Sequence, residues 1–242
     1  MRTSNPTLRA DTFSSTATDT ISGEVMTIQG TVNKTLVLLL LTFFTASWAW
    51  KQALQATGFM PLGLFGGLIC ALILIFKKEW APVLAPIYAL FEGLFLGGFS
   101  MIFERAYPGI VIQAVSLTFG TLFVLLMAYK TRLIQPTEKF KLGIVAATGG
   151  IMIVYLVSIV IGFFGGHMPM IFGSGPVGIG FSIVVVIIAA LNLVLDFDFI
   201  EQGAQQGAPR YMEWYAGFGL LVTLIWLYLE ILRLLAKLQD RR

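Results

Sequence analysis

From residue 35 onward the chain is a succession of long apolar runs separated by short polar breaks. A helix needs about 20 mostly apolar residues to cross the hydrocarbon core of a bilayer. Seven runs meet that need, at roughly 35–54, 61–76, 83–103, 109–129, 142–164, 176–197 and 215–238. The second is short, and residues 58–60 extend it. The breaks read KQALQATG, KKEWAP, ERAYPG, KTRLIQPTEKFK, GGHMPMIFGSGP and EQGAQQGAPRYME. Pro and Gly mark most of them, as helix ends should. Strands of an outer-membrane barrel are about 10 residues long and alternate apolar with polar. A stretch such as FSIVVVIIAALNLVL does not alternate, so the runs are read as helices. The pattern predicts an all-α polytopic membrane protein, with seven transmembrane helices in one bundle over residues 35–242. Residues 1–34 are rich in Ser and Thr and carry no apolar run. They read as a flexible polar tail without a signal-peptide core, with a short surface helix near residues 25–29.

Composition agrees. The chain has 242 residues, 57% hydrophobic and 12% charged, with mean hydropathy +0.85. Soluble domains carry about 25% charged residues, and half that supply does not cover a water-soluble globule of this size. The single cysteine, Cys70, excludes an internal disulfide framework and cysteine-based metal centres, and a lone His167 excludes a histidine-rich one. Cys70 lies in an apolar run and reads as packing. The net charge of +3 is too mild to argue for nucleic acid. No H-E-x-x-H, G-x-x-x-x-G-K-[ST] or G-x-S-x-G motif occurs, and no nucleophile with a nearby base can be assembled. The expectation is a protein that is not an enzyme and carries no cofactor.

Lys and Arg placement gives an orientation. With the N-terminus inside, that side holds Arg2, Arg9, Lys34, Lys77, Lys78, Lys130, Arg132, Lys139, Lys141 and Arg210, against Lys51 and Arg105 on the other. The basic C-terminal end, with Lys237, Arg241 and Arg242, breaks this pattern. Either the last segment spans fully and the rule is overruled there, or it dips in and returns; basic side chains at such an end also snorkel to headgroups. Gly93 and Gly97 form a G-x-x-x-G pair, which lets helix backbones approach closely in lipid. Packing inside one bundle is favoured over dimerisation.

Acids inside apolar runs are the informative residues, because an Asp at a helix centre costs about 2.5–3.5 kcal/mol on insertion scales. Glu92 lies about nine residues, or ~14 Å at 1.5 Å per residue, into the third run. It faces the bundle interior, is protonated, or lines a wet cavity. Asp196 and Asp198 lie at the end of the sixth run, on the same side as Lys77 and Lys78. Asp198 is close enough to the end to reach water, and Asp196 is deeper. Glu230 lies in the last run with Arg233 three residues on, so the two can pair on one helix face. Glu230 can equally share an acidic cluster with Glu92 and Asp196. Asn192, one turn before Asp196, reads as hydrogen-bonding glue.

These residues resemble a known family. The stretch LVLDFDFIEQG, with Asp196, Ile200 and Gly203, is similar to the end of the sixth helix in the Bax inhibitor family. WLYLEILRLL is similar to that family's last helix, and EGLFLGG to its third-helix motif. The resemblance covers roughly residues 34–240, with seven spans in matching order, and is nearest to a bacterial branch. It implies a pH-sensitive calcium leak of the bacterial plasma membrane, with the N-terminus cytoplasmic. Two acids on the sixth and seventh helices share a proton, and a basic residue on the second helix latches one of them. Carried over, the acids are Asp196 and Glu230, which also become the Ca²⁺ ligands, and the latch is Lys77 or Lys78, with Arg233 as a further basic partner. Glu92 and Asp198 are the remaining buried or pore-lining acids. Two features depart from the family: the seventh-helix acid is Glu rather than Asp, and the linker between the two acids is longer. Two carboxylates held close in a dry site do not both ionise easily, and Ca²⁺ takes oxygen ligands. The expected partners are the lipid bilayer and cations. Two other functions stay open. One is a non-conducting regulator bound to another membrane protein complex. The other is a proton-coupled transporter of a small solute.

Overall fold

The computed structural model describes residues 25–52, 56–166 and 169–241, and in it each apolar run is a helix. These are α1 (Ile28–Lys51), α2 (Ala56–Phe76), α3 (Ala81–Ala106), α4 (Ile110–Lys130), α5 (Glu138–Phe163), α6 (Pro176–Gln205) and α7 (Met212–Asp240). A 3₁₀ turn, Lys78–Trp80, joins α2 to α3, and a one-turn helix, Pro169–Phe172, precedes α6. All seven are long and apolar enough to cross a membrane. Among the described residues there is no strand, only an isolated bridge between Val25 and Pro209. The all-α polytopic architecture therefore stands. His167 and the first 24 residues of the tail lie outside the described residues.

Local chemistry sets the helix ends. α1 starts at Ile28, inside the segment read from its polarity as tail. Thr27 caps it, its hydroxyl accepting from the Gly30 N–H at 2.9 Å, which satisfies one of the orphan donors of the first turn. Thr137 caps α5 in the same way, accepting from the Phe140 N–H at 3.3 Å. α3 turns into α4 within three residues, which Gly109 permits by taking φ +84°. α6 runs on to Gln205, past the end of its apolar stretch. There the polar side chains satisfy one another along the helix: Gln202 donates to Asp198 at 2.5 Å and Gln205 to Glu201 at 3.2 Å.

Hydroxyls inside α1 are satisfied without a partner helix. Thr31, Thr35, Thr42 and Thr45 each donate to the carbonyl four residues back, at 2.9–3.0 Å. A polar group in hydrocarbon needs such a bond. Thr31, Thr35, Leu38, Thr42 and Ala49 also form the buried stripe of the helix.

The chain divides into two units. The first comprises residues 25–106 and 196–222, and the second 107–195 and 223–241, so α6 and α7 each contribute one part to either. In the first unit, α3 packs against both α1 and α2. Gly63 of α2 lies under α3, where an added Cβ would come within 2.6 Å of the Phe91 carbonyl and the Phe95 N–H nitrogen. Gly93 and Gly97 of α3 lie against Thr42, Thr45, Ala46 and Ala49 of α1. The G-x-x-x-G pair thus serves close approach within the chain. In the second unit, Asn192 of α6 donates to Thr148 of α5 and to its own Ile188 carbonyl, both at 2.8 Å, the glue role expected of it. The exposed faces of α4 and α5 carry Phe119, Phe123, Val124, Ile153 and Leu156. Such a surface suits acyl chains and not water.

Candidate functional site

In the second unit α7 carries a polar ladder on one face: Glu230, Arg233, Lys237 and Asp240, at successive spacings of three or four residues. Glu230 is 2% exposed. Its Oε1 accepts from the Tyr155 hydroxyl at 2.8 Å and from Arg233 Nη1 at 3.1 Å, while Oε2 lies 3.2 Å from the same nitrogen. Arg233 also donates to the Tyr155 hydroxyl at 3.0 Å, and its guanidinium lies 5.5 Å from the centre of that ring. Tyr155 is held in turn by Phe172 and Phe181, with centroids at 5.8 and 6.4 Å. A buried carboxylate thus has a cation, a phenol and aromatic walls around it. This environment keeps a charge inside a membrane helix at tolerable cost.

One turn on, Lys237 is buried, and its ammonium donates to the Ile171 carbonyl, the Gly178 carbonyl and the Ser182 hydroxyl at 3.1, 3.0 and 2.9 Å. It does not snorkel, as the basic end of the chain led one to expect. At the end of the ladder Asp240 accepts from the Tyr107 hydroxyl and, at 2.9 Å, from Ser174. That bond holds the Tyr107 phenol above its usual pKa of 10.0, because losing the proton would leave two anions in contact.

The first unit holds the other expected residues. Glu92 is half-buried on α3, with its carboxylate against Gly67 of α2 and the buried Tyr88 hydroxyl bonded to it one turn back. An added Cβ at Gly67 would lie 2.8 Å from Glu92 Oε1, so the missing side chain makes the room. Asp196 is half-buried on α6 between the buried Leu195 and Phe197, and Asp198 is bonded to Gln202. Lys77 is exposed at the end of α2, while Lys78 is half-buried with its ammonium 5.7 Å from the centre of the Tyr215 ring of α7. Asp196 belongs to the first unit and Glu230 to the second. Among the described residues no group of three or more His, Cys, Asp or Glu side chains gathers as a metal-ligand set.

A further ion pair lies where α1 and α7 begin. Glu213, 3% exposed, pairs with Lys34 and accepts from the Thr27 N–H and hydroxyl at 2.8 and 2.9 Å. Gly30 leaves space for that carboxylate, and the Lys34 ammonium lies 5.7 Å from the Trp214 ring centre. Beside it opens a cavity of about 450 Å³ whose lining includes Asn33, Lys34, Arg210 and Glu213.

Of the expected residues, the structure brings Glu230 and Arg233 together directly. Sequence reasoning missed Tyr155, Lys237 and Ser182. The signal for Lys237 was present, since it shares a face with Glu230 and Arg233 at i+7 and i+4. Tyr155 and Ser182 lie on other helices and had no such mark.

Seven apolar helices with buried, internally paired charges define a polytopic integral membrane protein whose polar side chains serve its interior. More specifically, the chain belongs to the Bax inhibitor 1 like family, whose model matches residues 5–240, nearly its whole length. No curated protein and no solved structure matches it.

Proposed function

We propose that this protein is a passive, pH-sensitive cation leak of a bacterial plasma membrane, with Ca²⁺ as the permeant ion and the N-terminus cytoplasmic. The observation that carries the reading is the set of carboxylates inside membrane-crossing helices: Glu92 in α3, Asp196 in α6 and Glu230 in α7. Ionisable groups at such depth are costly, and ion and proton pathways are among the roles they mark. Asp196 and Glu230 are the titrating acids in this reading, Glu92 stabilises the path, and Lys78, better placed than Lys77, is the latch. Arg233 is the resident counter-ion of Glu230. When Glu230 takes a proton, the attraction between α7's own acid and base is lost, and the guanidinium is released toward other oxygens. The protein catalyses no reaction and needs no resident cofactor; cations pass down their gradient.

The test is flux. Purified protein in liposomes that enclose a Ca²⁺ indicator should admit Ca²⁺ at a rate that depends on pH. Asp196→Asn and Glu230→Gln should each flatten that dependence, and the double variant should add little to either. Wild-type liposomes no leakier than protein-free ones would overturn the reading. Independent, additive effects of the two variants would remove the coupled gate and leave the leak.

A further inference from the structure

The ammonium of Lys237 occupies an unusual place. It is 5% exposed, on a helix that crosses the membrane, and its acceptors are two backbone carbonyls and a hydroxyl. An ammonium has three protons and no lone pair, so these three oxygens use its whole donor capacity. They come from separate points on the chain: Ile171 in the one-turn helix, Gly178 near the start of α6, and Ser182 one turn further. The absence of a side chain at Gly178 is part of the arrangement. An added Cβ there would lie 3.1 Å from the Ile171 carbonyl oxygen and would run into the Gly173 carbonyl. The glycine thus lets carbonyl oxygens crowd round one point, where the lysine ammonium meets them.

Neutral carbonyl and hydroxyl oxygens around a dehydrated cation form the kind of cage with which membrane proteins select monovalent ions. The spacing of 2.9–3.1 Å exceeds the 2.3–2.6 Å or so at which Ca²⁺ binds, and none of the three acceptors is a carboxylate, the ligand Ca²⁺ favours. We propose that this cage is a monovalent-cation site, sized for ammonium or potassium, which the chain fills with its own tethered ammonium. Lys237 is then a built-in occupant: it anchors α7 to the start of α6 and bars a free ion from the same oxygens. Truncating the side chain opens the site to an ion from solution. The inference does not depend on conduction, because its test reads stability.

The experiment uses the full chain in detergent micelles. Thermal midpoints of wild type, Lys237→Ala and Lys237→Met are measured in ammonium, methylammonium, potassium and tetramethylammonium chlorides at equal ionic strength. Lys237→Ala should melt below wild type. It should recover part of the loss, saturably, in ammonium, methylammonium and potassium, and none in tetramethylammonium, whose methyl groups keep the charge away from the oxygens. Lys237→Met, whose side chain fills the cage, and wild type should respond equally to all four salts. Adding Ser182→Ala to Lys237→Ala should raise the half-saturating concentration several-fold. A uniform response of Lys237→Ala to the four salts would overturn the proposal and leave Lys237 a structural staple. Failure to recover folded Lys237→Ala in every one of the salts would overturn it too.

Discussion

Replacing Arg233 by Met isolates the charge that balances Glu230. The change keeps an unbranched apolar stem and removes the guanidinium. Glu230, 2% exposed, is then left with the Tyr155 hydroxyl at 2.8 Å as its one remaining donor among the contacts described above. Removing one partner of a buried ion pair costs about 3–5 kcal/mol, because the other charge stays buried without compensation. The Arg233 side chain is 35% exposed, so water already screens part of the interaction. The expected loss therefore falls below that range, at about 2–3 kcal/mol. The loss of the guanidinium from the Tyr155 ring adds about 0.5–1 kcal/mol. The reverse change, Glu230→Gln, should cost less than Arg233→Met, since the partly exposed guanidinium keeps access to solvent. The double variant should be more stable than the sum of the singles predicts, by about 1–2 kcal/mol. Unfolding of the purified protein by titration with a denaturing detergent, followed by far-UV circular dichroism, reads all four species. Losses that add within about 0.5 kcal/mol, or an Arg233→Met loss no greater than that of Glu230→Gln, would refute the claim that Glu230 and Arg233 stabilise one another as a pair.

Two further expectations rest on geometry elsewhere. Gly97→Ala should destabilise by about 1–3 kcal/mol through overpacking, since its Cβ would lie 2.5 Å from the Ala46 carbonyl and 2.8 Å from the Ala49 side chain, whereas Gly120→Ala, with nothing within 4 Å, should be neutral or stabilising by up to about 1 kcal/mol. The same unfolding titration compares them, and equal losses would show that α1 and α3 are not in close contact. The Tyr107–Asp240 bond should give an alkaline signature. Its folded-state pKa is raised above 10.0, so its stabilising contribution is present below pH 10 and is lost as pH rises through the higher folded value. Ultraviolet titration of phenolate should show one tyrosine shifting to lower pH in Asp240→Asn, and no difference between the two titrations would refute the contact.

Span number and helical class were legible because both are local properties. A run of about 20 apolar residues buries its own backbone hydrogen bonds as a helix, whatever its neighbours do. The Glu230–Arg233 pair was legible for a related reason, since i and i+3 share a face on any helix. The ends were less so. The apolar runs stop where hydropathy falls, but α1 begins seven residues earlier than its run and α6 extends eight beyond. Polar residues there are satisfied by caps and i+4 partners, among them Thr27 with Gly30 and Gln202 with Asp198.

The amino-acid sequence by itself determined a seven-helix membrane chain with acids at costly depths and a charged face on its last helix. Only the tertiary structure decided what each charge meets. Glu213 is held by Thr27, 186 positions away, Glu230 by Tyr155, 75 positions away, and Lys237 by two backbone carbonyls. Backbone carbonyls are the same at every residue, so a pattern of side chains carries no trace of which of them will converge. Their convergence comes from how helices pack and loops turn, and in lipid it is this packing that fixes where a buried charge can rest.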